Sequence, residues 1–198
     1  MTDKWKKFWF SEGKGNDNSH NLRPNDYDYS AVAKYLSKKL HITPTDNVLD
    51  VGCGNGQMIE QMMKYTKNIS GIDYSPTMTV LAAGIIEKYN LNGVAKVLNA
   101  HNLSFFKDGT FDKSYSIGVV QYYDEVTQVR LAVSEMLRVI KKGGRILVGD
   151  IIDAKIIERG IDGFSSFLPN EIVPIGYQHK IVRSSFEPFR RYDLIIYK

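Results

Sequence analysis

The stretch Val48-Leu49-Asp50-Val51-Gly52-Cys53-Gly54-Asn55-Gly56-Gln57-Met58 decides the fold. Its apolar start, Val48 to Val51, reads as a buried parallel strand. Three glycines at alternate positions follow, and then Met58, Ile59, Met62 and Met63 recur at helical spacing as a core-facing stripe. Strand, glycine turn and helix in this order open the ligand crevice of a doubly wound sheet. The dinucleotide version spaces its glycines G-x-G-x-x-G, so that amides at the helix start cradle a pyrophosphate. Here the third glycine comes one residue earlier, and Asp50 stands two residues before the first. An acid ending the strand suits a positively charged ligand better than a diphosphate. The glycines let backbone touch that ligand without side-chain collision. Cys53 reads as a small residue that fits among them rather than as a catalytic thiol.

Composition sets the outer limits. The chain has 198 residues, 43% hydrophobic and 24% charged, which is ordinary for one globular domain with a single core. A net charge of +4 permits acidic substrates but is no nucleic-acid footprint without clustering on one face. One cysteine excludes an internal disulfide framework and fits a reducing, cytoplasmic setting. No signal-peptide run opens the sequence, and no apolar stretch has the length of a membrane span, so stable insertion is not expected. Oligomeric state cannot be read from the chain, and no metal is called for.

Downstream, Ile69 to Asp73 is a short strand ending in an acid, and Ser75-Pro76 supplies an N-cap and a first helical residue. Met78, Leu81, Ile85 and Tyr89 are expected to form the buried face of that helix. Asp73 lies about twenty residues past the glycines, where this fold places the carboxylate that binds ribose hydroxyls. A third strand over Ala95 to Leu98 runs into Asn99-Ala100-His101, and a fourth opens at Phe111-Asp112 and continues through Ser116 to Gly118. A helix over about Asp124 to Ile140 is stopped by Gly143-Gly144, and Arg145 to Ile152 is the fifth strand. Strands near Lys180 to Ser184 and Tyr192 to Tyr197, joined by Ser185 to Pro188, close the chain as an antiparallel pair. The expected architecture is α/β: a Rossmann-like, doubly wound, mostly parallel seven-stranded sheet with an antiparallel C-terminal pair.

The pattern D-x-G-x-G-x-G over Asp50 to Gly56 resembles motif I of the class I S-adenosylmethionine-dependent methyltransferases. Phe111-Asp112 matches the F-D that opens strand four in that family. Leu137 to Arg145 matches its R-V-L-K-P-G-G, with Lys142 in place of proline. The likeness covers Asp46 to Ile152, and Asn99-Ala100 with Ser116-x-Gly118 resembles the ubiquinone/menaquinone-biosynthesis branch. Many relatives there carry Asp where this chain has Asn99.

The resemblance implies S-adenosyl-L-methionine as cofactor, with S-adenosyl-L-homocysteine as product. The turn formed by Gly52, Cys53, Gly54, Asn55 and Gly56 would border its methionine and ribose parts, and Asp50 its ammonium side. Asp73 would bind the ribose diol and Tyr74 would pack on the adenine. Asn99, the Ala100 backbone and His101 would flank the ring, and Ser116 joins this cofactor set. The protein must chiefly align a nucleophile with the methyl group and exclude water. Tyr27, Tyr29, Gln121, Tyr122, Asp150 and Asp153 are candidates on the acceptor side, each also open to a structural role.

A small-molecule methyl acceptor is expected rather than nucleic acid or protein. The stretch after strand four, Ser116-Ile117-Gly118-Val119, is not the N/D-P-P-Y of base-amine methylases. The alternatives are an inactive cofactor-binding scaffold or partner subunit and, further off, an NAD(P)-dependent oxidoreductase. The chain divides into residues 1–29 as an N-terminal lid with an aromatic-basic start at Trp5, Phe8, Trp9 and Phe10, residues 30–152 as the cofactor-binding core, and residues 153–198 as a closing segment. A docked helix or a membrane-surface segment is the rival reading of that start.

Overall fold

Every side chain of β1 (Val48–Val51) is buried, as a strand covered on both faces and paired on both edges requires. In the computed structural model, which describes residues 27–153, 165–183 and 191–198, β1 pairs in parallel with β2 (Ile69–Asp73) and with β4 (Phe111–Ile117). β3 (Ala95–Val97) extends the sheet beyond β2, and β5 (Ile140–Ile152) extends it beyond β4, both in parallel. Two antiparallel strands complete it, β6 (Gln178–Arg183) and β7 (Arg191–Tyr197). The later strand, β7, inserts between β5 and β6. The order is β3-β2-β1-β4-β5-β7-β6, the α/β sheet expected from the sequence. Chain progression reverses between β1 and β4, so the crevice beyond their carboxyl ends is where such a fold binds its ligand.

Helices cover both faces. On one side α1 (Tyr29–Leu40), α2 (Gln57–Met62) and α3 (Pro76–Lys88) pack with Val48, Tyr115, Leu147 and Ile195. On the other, α4 (Val126–Val139) and the one-turn α5 (Pro169–Ile172) pack with Leu49, Val51, Val148 and Leu194. Adjacent residues of β1 thus serve opposite cores, following the two-residue period of a strand.

Local chemistry fixes the helix starts. Asp28 caps α1 by accepting from the Ala31 amide at 2.9 Å, and Val32, Leu36 and Leu40 carry its buried stripe. Full burial of a leucine such as Leu36 stabilises the fold by about 1.5–3 kcal/mol. Ser75 accepts from the Met78 amide and Pro76 is the first residue of α3, as their types predict.

Three expectations need correction. The buried face of α3 is Met78, Ala82 and Ile86, a four-residue row, whereas Leu81 is exposed and Ile85 and Tyr89 only half-buried. The apolar content of this helix exceeds what one face can hide, so hydrophobicity alone misplaces the face. Next, α4 ends at Val139, not at Gly143-Gly144: the chain is already extended at Ile140, which pairs with Phe111. Gly143, with φ +77°, instead turns the start of β5 and donates its amide to the Lys198 carbonyl. Finally, β3 (Ala95–Val97) ends one residue before the expected Leu98, and the closing strands begin earlier than expected, at Gln178 and Arg191. Of the expected lid, Tyr27, Asp28 and Tyr29 are described. The remainder, the Ser185 to Pro188 turn and residues 154–164 lie outside the described residues. Among the described residues no helix is long and apolar enough to cross a membrane.

Candidate active site

The three glycines of the turn share a left-handed backbone but have different surroundings. Gly52 (φ +84°) lies against Val119, so an added Cβ would meet its Cγ2 at 2.4 Å. Gly56 (φ +88°) caps α2 against α3, with Ala82 Cα 2.9 Å from such a Cβ. Gly54 (φ +53°) has nothing within 4 Å of the corresponding position. Two of the glycines are therefore required by packing, and the middle one faces open space. Asn55 completes the turn by accepting from the Gln57 amide.

Asp73 joins this turn to the end of β2. Its Oδ2 accepts from the Gly54 amide at 2.9 Å and its Oδ1 from the Ser75 amide at 2.8 Å. Burial pushes its carboxyl above the ordinary aspartate range, and the amides of Ser75, Gly54 and Tyr74 pull it part of the way back. Three amides thus occupy three of a carboxylate's roughly four lone-pair sites, leaving capacity for about one more donor. Tyr74 follows, half-buried.

Beneath the turn, Asp50 is buried and its Oδ2 accepts from the Tyr115 hydroxyl at 3.1 Å. Cys53 packs its sulfur over Gly71, 2.8 Å from where a Cβ would stand. Burial, then the charges of Asp50 and Asp73, push its thiol well above the usual range. A thiol held protonated in this way is a poor nucleophile.

The far side comes from the loops after β3 and β4. Asn99 is exposed, its Oδ1 accepting from the His101 amide at 2.9 Å, and Ala100 is buried behind it. The His101 ring lies 4.9 Å from that of Tyr123, and burial lowers its pKa. Burial and the charge of Asp73 push up the Tyr123 hydroxyl, tying the two loops to one electrostatic environment. Ser116 is buried in β4, opposite Val148.

Gln121 and Tyr122, expected on the acceptor side, are buried in a 3-10 turn, Val120–Tyr122, directly after β4. Gln121 Oε1 accepts from Arg191 Nη1 at 2.7 Å. The same nitrogen donates to the Asp150 carbonyl at 3.0 Å and lies 3.4 Å from Asp150 Oδ1. Asp150 adopts φ +63° in the bulge where the β5–β7 register shifts, and its amide donates to Asp193 Oδ1 at 2.8 Å. Asp193 Oδ2 in turn accepts from the Tyr35 hydroxyl of α1 at 2.6 Å. Asp153 is buried and paired with Arg183 at 2.7 Å. Tyr27 and Tyr29, at the start of α1, meet edge to face with centroids 4.8 Å apart.

The structure joins Asp73 to the glycine turn through Gly54 and sets Asn99 and His101 in the loop after β3, with Gln121 and Tyr122 directly after β4 and Asp150 near the end of β5. The sequence does not single out Tyr115, Tyr123, Arg191 or Asp193. A usable signal existed for Asp193 alone: an acid inside the apolar run Tyr192 to Tyr197 needs partners. Among the described residues no group of three or more His, Cys, Asp and Glu is placed to hold a metal ion.

A family model described as a methyltransferase domain matches residues 49–148. The chain belongs to the class I S-adenosylmethionine-dependent methyltransferase family, whose cofactor is S-adenosyl-L-methionine. It is 31% identical over 116 residues to sterol 24-C-methyltransferase ERG6 of Saccharomyces cerevisiae, covering 58% of this chain and 30% of that one. It is 36% identical over 115 residues to human EEF1A lysine methyltransferase 2, covering 54% and 49%. The chain thus spans half or less of the length of these curated relatives.

Among solved structures, N-methyltransferase NodS from Bradyrhizobium japonicum, in complex with S-adenosyl-L-homocysteine, has a TM-score of 0.73 at 16% identity, with 98% of each chain covered. The cyclase SpnF has a TM-score of 0.70 at 18% identity, covering 85% of this chain and 81% of that one. At such identities the likeness is one of fold.

Proposed function

We propose that this domain binds S-adenosyl-L-methionine in the crevice beyond β1, β2 and β4 and transfers its methyl group to a small-molecule acceptor. The observation that carries the reading is the pairing of Gly54 with Asp73: a left-handed glycine facing open space, bonded to a half-buried carboxylate with acceptor capacity left. These residues fit the cofactor. Asp73 would accept from the ribose diol, Gly52, Gly54 and the buried Asp50 would border the methionine end, and Tyr74, Asn99, Ala100 and His101 would enclose the adenine. Bound there, the cofactor supplies a methyl group already activated on a sulfonium. The protein's own task is orientation and exclusion of water.

Gln121, Tyr122 and Asp150 end the strands on the acceptor side, with Tyr27 and Tyr29 leading into α1. Arg191 fixes Gln121 and neutralises Asp150, so these groups border the acceptor as a held polar wall. The cytoplasm is the compartment this reading takes, in keeping with a single cysteine in the chain.

A second reading, an inactive cofactor-binding scaffold, is favoured by one observation: Asp150 and Asp153 are each held by an arginine rather than poised as a base. Incubation with methyl-labelled cofactor and a cell metabolite extract separates the two. A labelled small product is expected. Tight cofactor binding with no transfer to any component would move the assignment to the scaffold.

A further inference from the structure

Asp50 and Tyr115 stand directly opposite each other in the paired strands β1 and β4, and both are buried: Asp50 is 3% exposed and Tyr115 0%. Tyr115 belongs to the core that contains Val48, Leu147 and Ile195, and its hydroxyl donates to Asp50 Oδ2 at 3.1 Å. Stability alone does not ask for this pair. Two apolar side chains of the same shape are commonly neutral or better in such a place, because no polar group then has to leave water. A carboxylate kept in the core, with a tyrosine where phenylalanine would fill the space, calls for another reason.

The turn above the pair supplies one. The amides of Gly52 and Cys53 both donate to the Ile72 carbonyl, at 2.8 and 2.9 Å, the Gly54 amide to Asp73 and the Gly56 amide to the Cys53 carbonyl. With these four N–H groups engaged inside the protein, the turn is no cradle for a phosphate. Two carboxylates flank it instead. After burial, the charges of Asp50 and Asp73 push the Cys53 thiol upward, which places the Asp50 charge within reach of the turn itself. Burial, then the charge of Asp50, push the Tyr115 hydroxyl well above its usual range, so it remains a donor to that carboxylate. In so dry a setting a fixed anion acts strongly on an entering cation, and its effect depends on where the carboxylate is held.

We infer that Tyr115 is a positioning residue for cofactor binding: it holds the Asp50 carboxylate beneath the glycine turn, where that charge favours the ammonium-bearing methionine end of the ligand. The inference rests on the cofactor reading above and adds the residue that sets this anion in place. Fully buried, Tyr115 acts through Asp50 and not on the ligand.

Two ligands separate the methionine end from the adenosine end: S-adenosyl-L-homocysteine carries the amino acid, and 5′-methylthioadenosine lacks it. Both are titrated by calorimetry into the native full chain, Tyr115→Phe, Asp50→Asn and the double variant, with folding monitored by circular dichroism. Tyr115→Phe should weaken S-adenosyl-L-homocysteine about three- to tenfold and change 5′-methylthioadenosine less than about twofold. Asp50→Asn should show the same selectivity to a greater degree. The double variant should bind no more weakly than Asp50→Asn alone, because the two residues act through one bond. Equal weakening of both ligands, an unchanged affinity for S-adenosyl-L-homocysteine, additive losses in the double variant, or failure of Tyr115→Phe to fold each overturns the inference and leaves the cofactor reading standing. Failure of S-adenosyl-L-homocysteine to bind the native chain brings down that reading instead.

Discussion

Asp73 has two duties in one carboxylate. It holds the turn and the start of α3 through Gly54 and Ser75, and in the proposed role its remaining acceptor site meets the ribose. Its role depends on charge, because a ribose diol donates to the ionised form. Burial raises its carboxyl, so protonation sets in at a higher pH than for an exposed aspartate. Ligand binding to the ionised form must lower that pKa, and affinity must therefore fall as pH drops through the free-protein value. Titration of S-adenosyl-L-homocysteine from about pH 8 down to about pH 4 should show weakening that begins above the usual aspartate value near 3.9. A flat profile across that window would remove Asp73 from the ligand. Asp73 is singled out in the sequence by its distance to the glycines, and Asn99 by the family resemblance. That Asn99 also closes its own loop through the His101 amide is not, because short-range side-chain bonds depend on a backbone turn that residue type does not fix.

At the scale of the element, the glycine turn separates packing from binding. Alanine at Gly52 must adopt φ +84° and displace Val119, which should cost about 1–3 kcal/mol of stability in addition to the left-handed strain. Alanine at Gly54 incurs a left-handed penalty of about 1–2 kcal/mol but meets no protein atom. Its methyl would point into the space assigned to the cofactor. Urea denaturation should find Gly52→Ala the less stable variant, whereas calorimetry should find Gly54→Ala weaker in cofactor affinity relative to its stability loss. The reverse pattern would place the open side of the turn away from the ligand. The sequence reveals that the turn exists because glycine spacing is local. It conceals which glycine faces outward, since that depends on Val119 and Ala82, more than sixty and about twenty-five residues away.

At the scale of the whole molecule, β7 unites the acceptor side. Arg191 links the turn after β4 to the end of β5, and Asp193 links the bulge of β5 to α1 through Tyr35. Asp193→Ala would leave the Asp150 amide and the Tyr35 hydroxyl without these bonds, and should destabilise the protein by about 2–4 kcal/mol. Urea denaturation checks this; a loss under about 0.5 kcal/mol, the scale of an ordinary surface substitution, would show that the network is not a fastening. The sheet's parallel half is legible from alternating apolar strands and helical stripes. The insertion of β7 between β5 and β6 is not, because the periodicity of a strand carries no information about its neighbours. For that reason Gln121 and Asp150 can be picked out singly in the sequence, while the arginine that joins them, 70 and 41 residues distant, cannot. The most direct test of the central claim is titration calorimetry of S-adenosyl-L-homocysteine and NAD(P) against the native chain and Asp73→Ala. One saturable site for S-adenosyl-L-homocysteine is expected, weakened by about 1.5–3 kcal/mol in the variant, with no binding of NAD(P). Binding of NAD(P) in its place, or a dissociation constant that Asp73→Ala leaves unchanged, would contradict it.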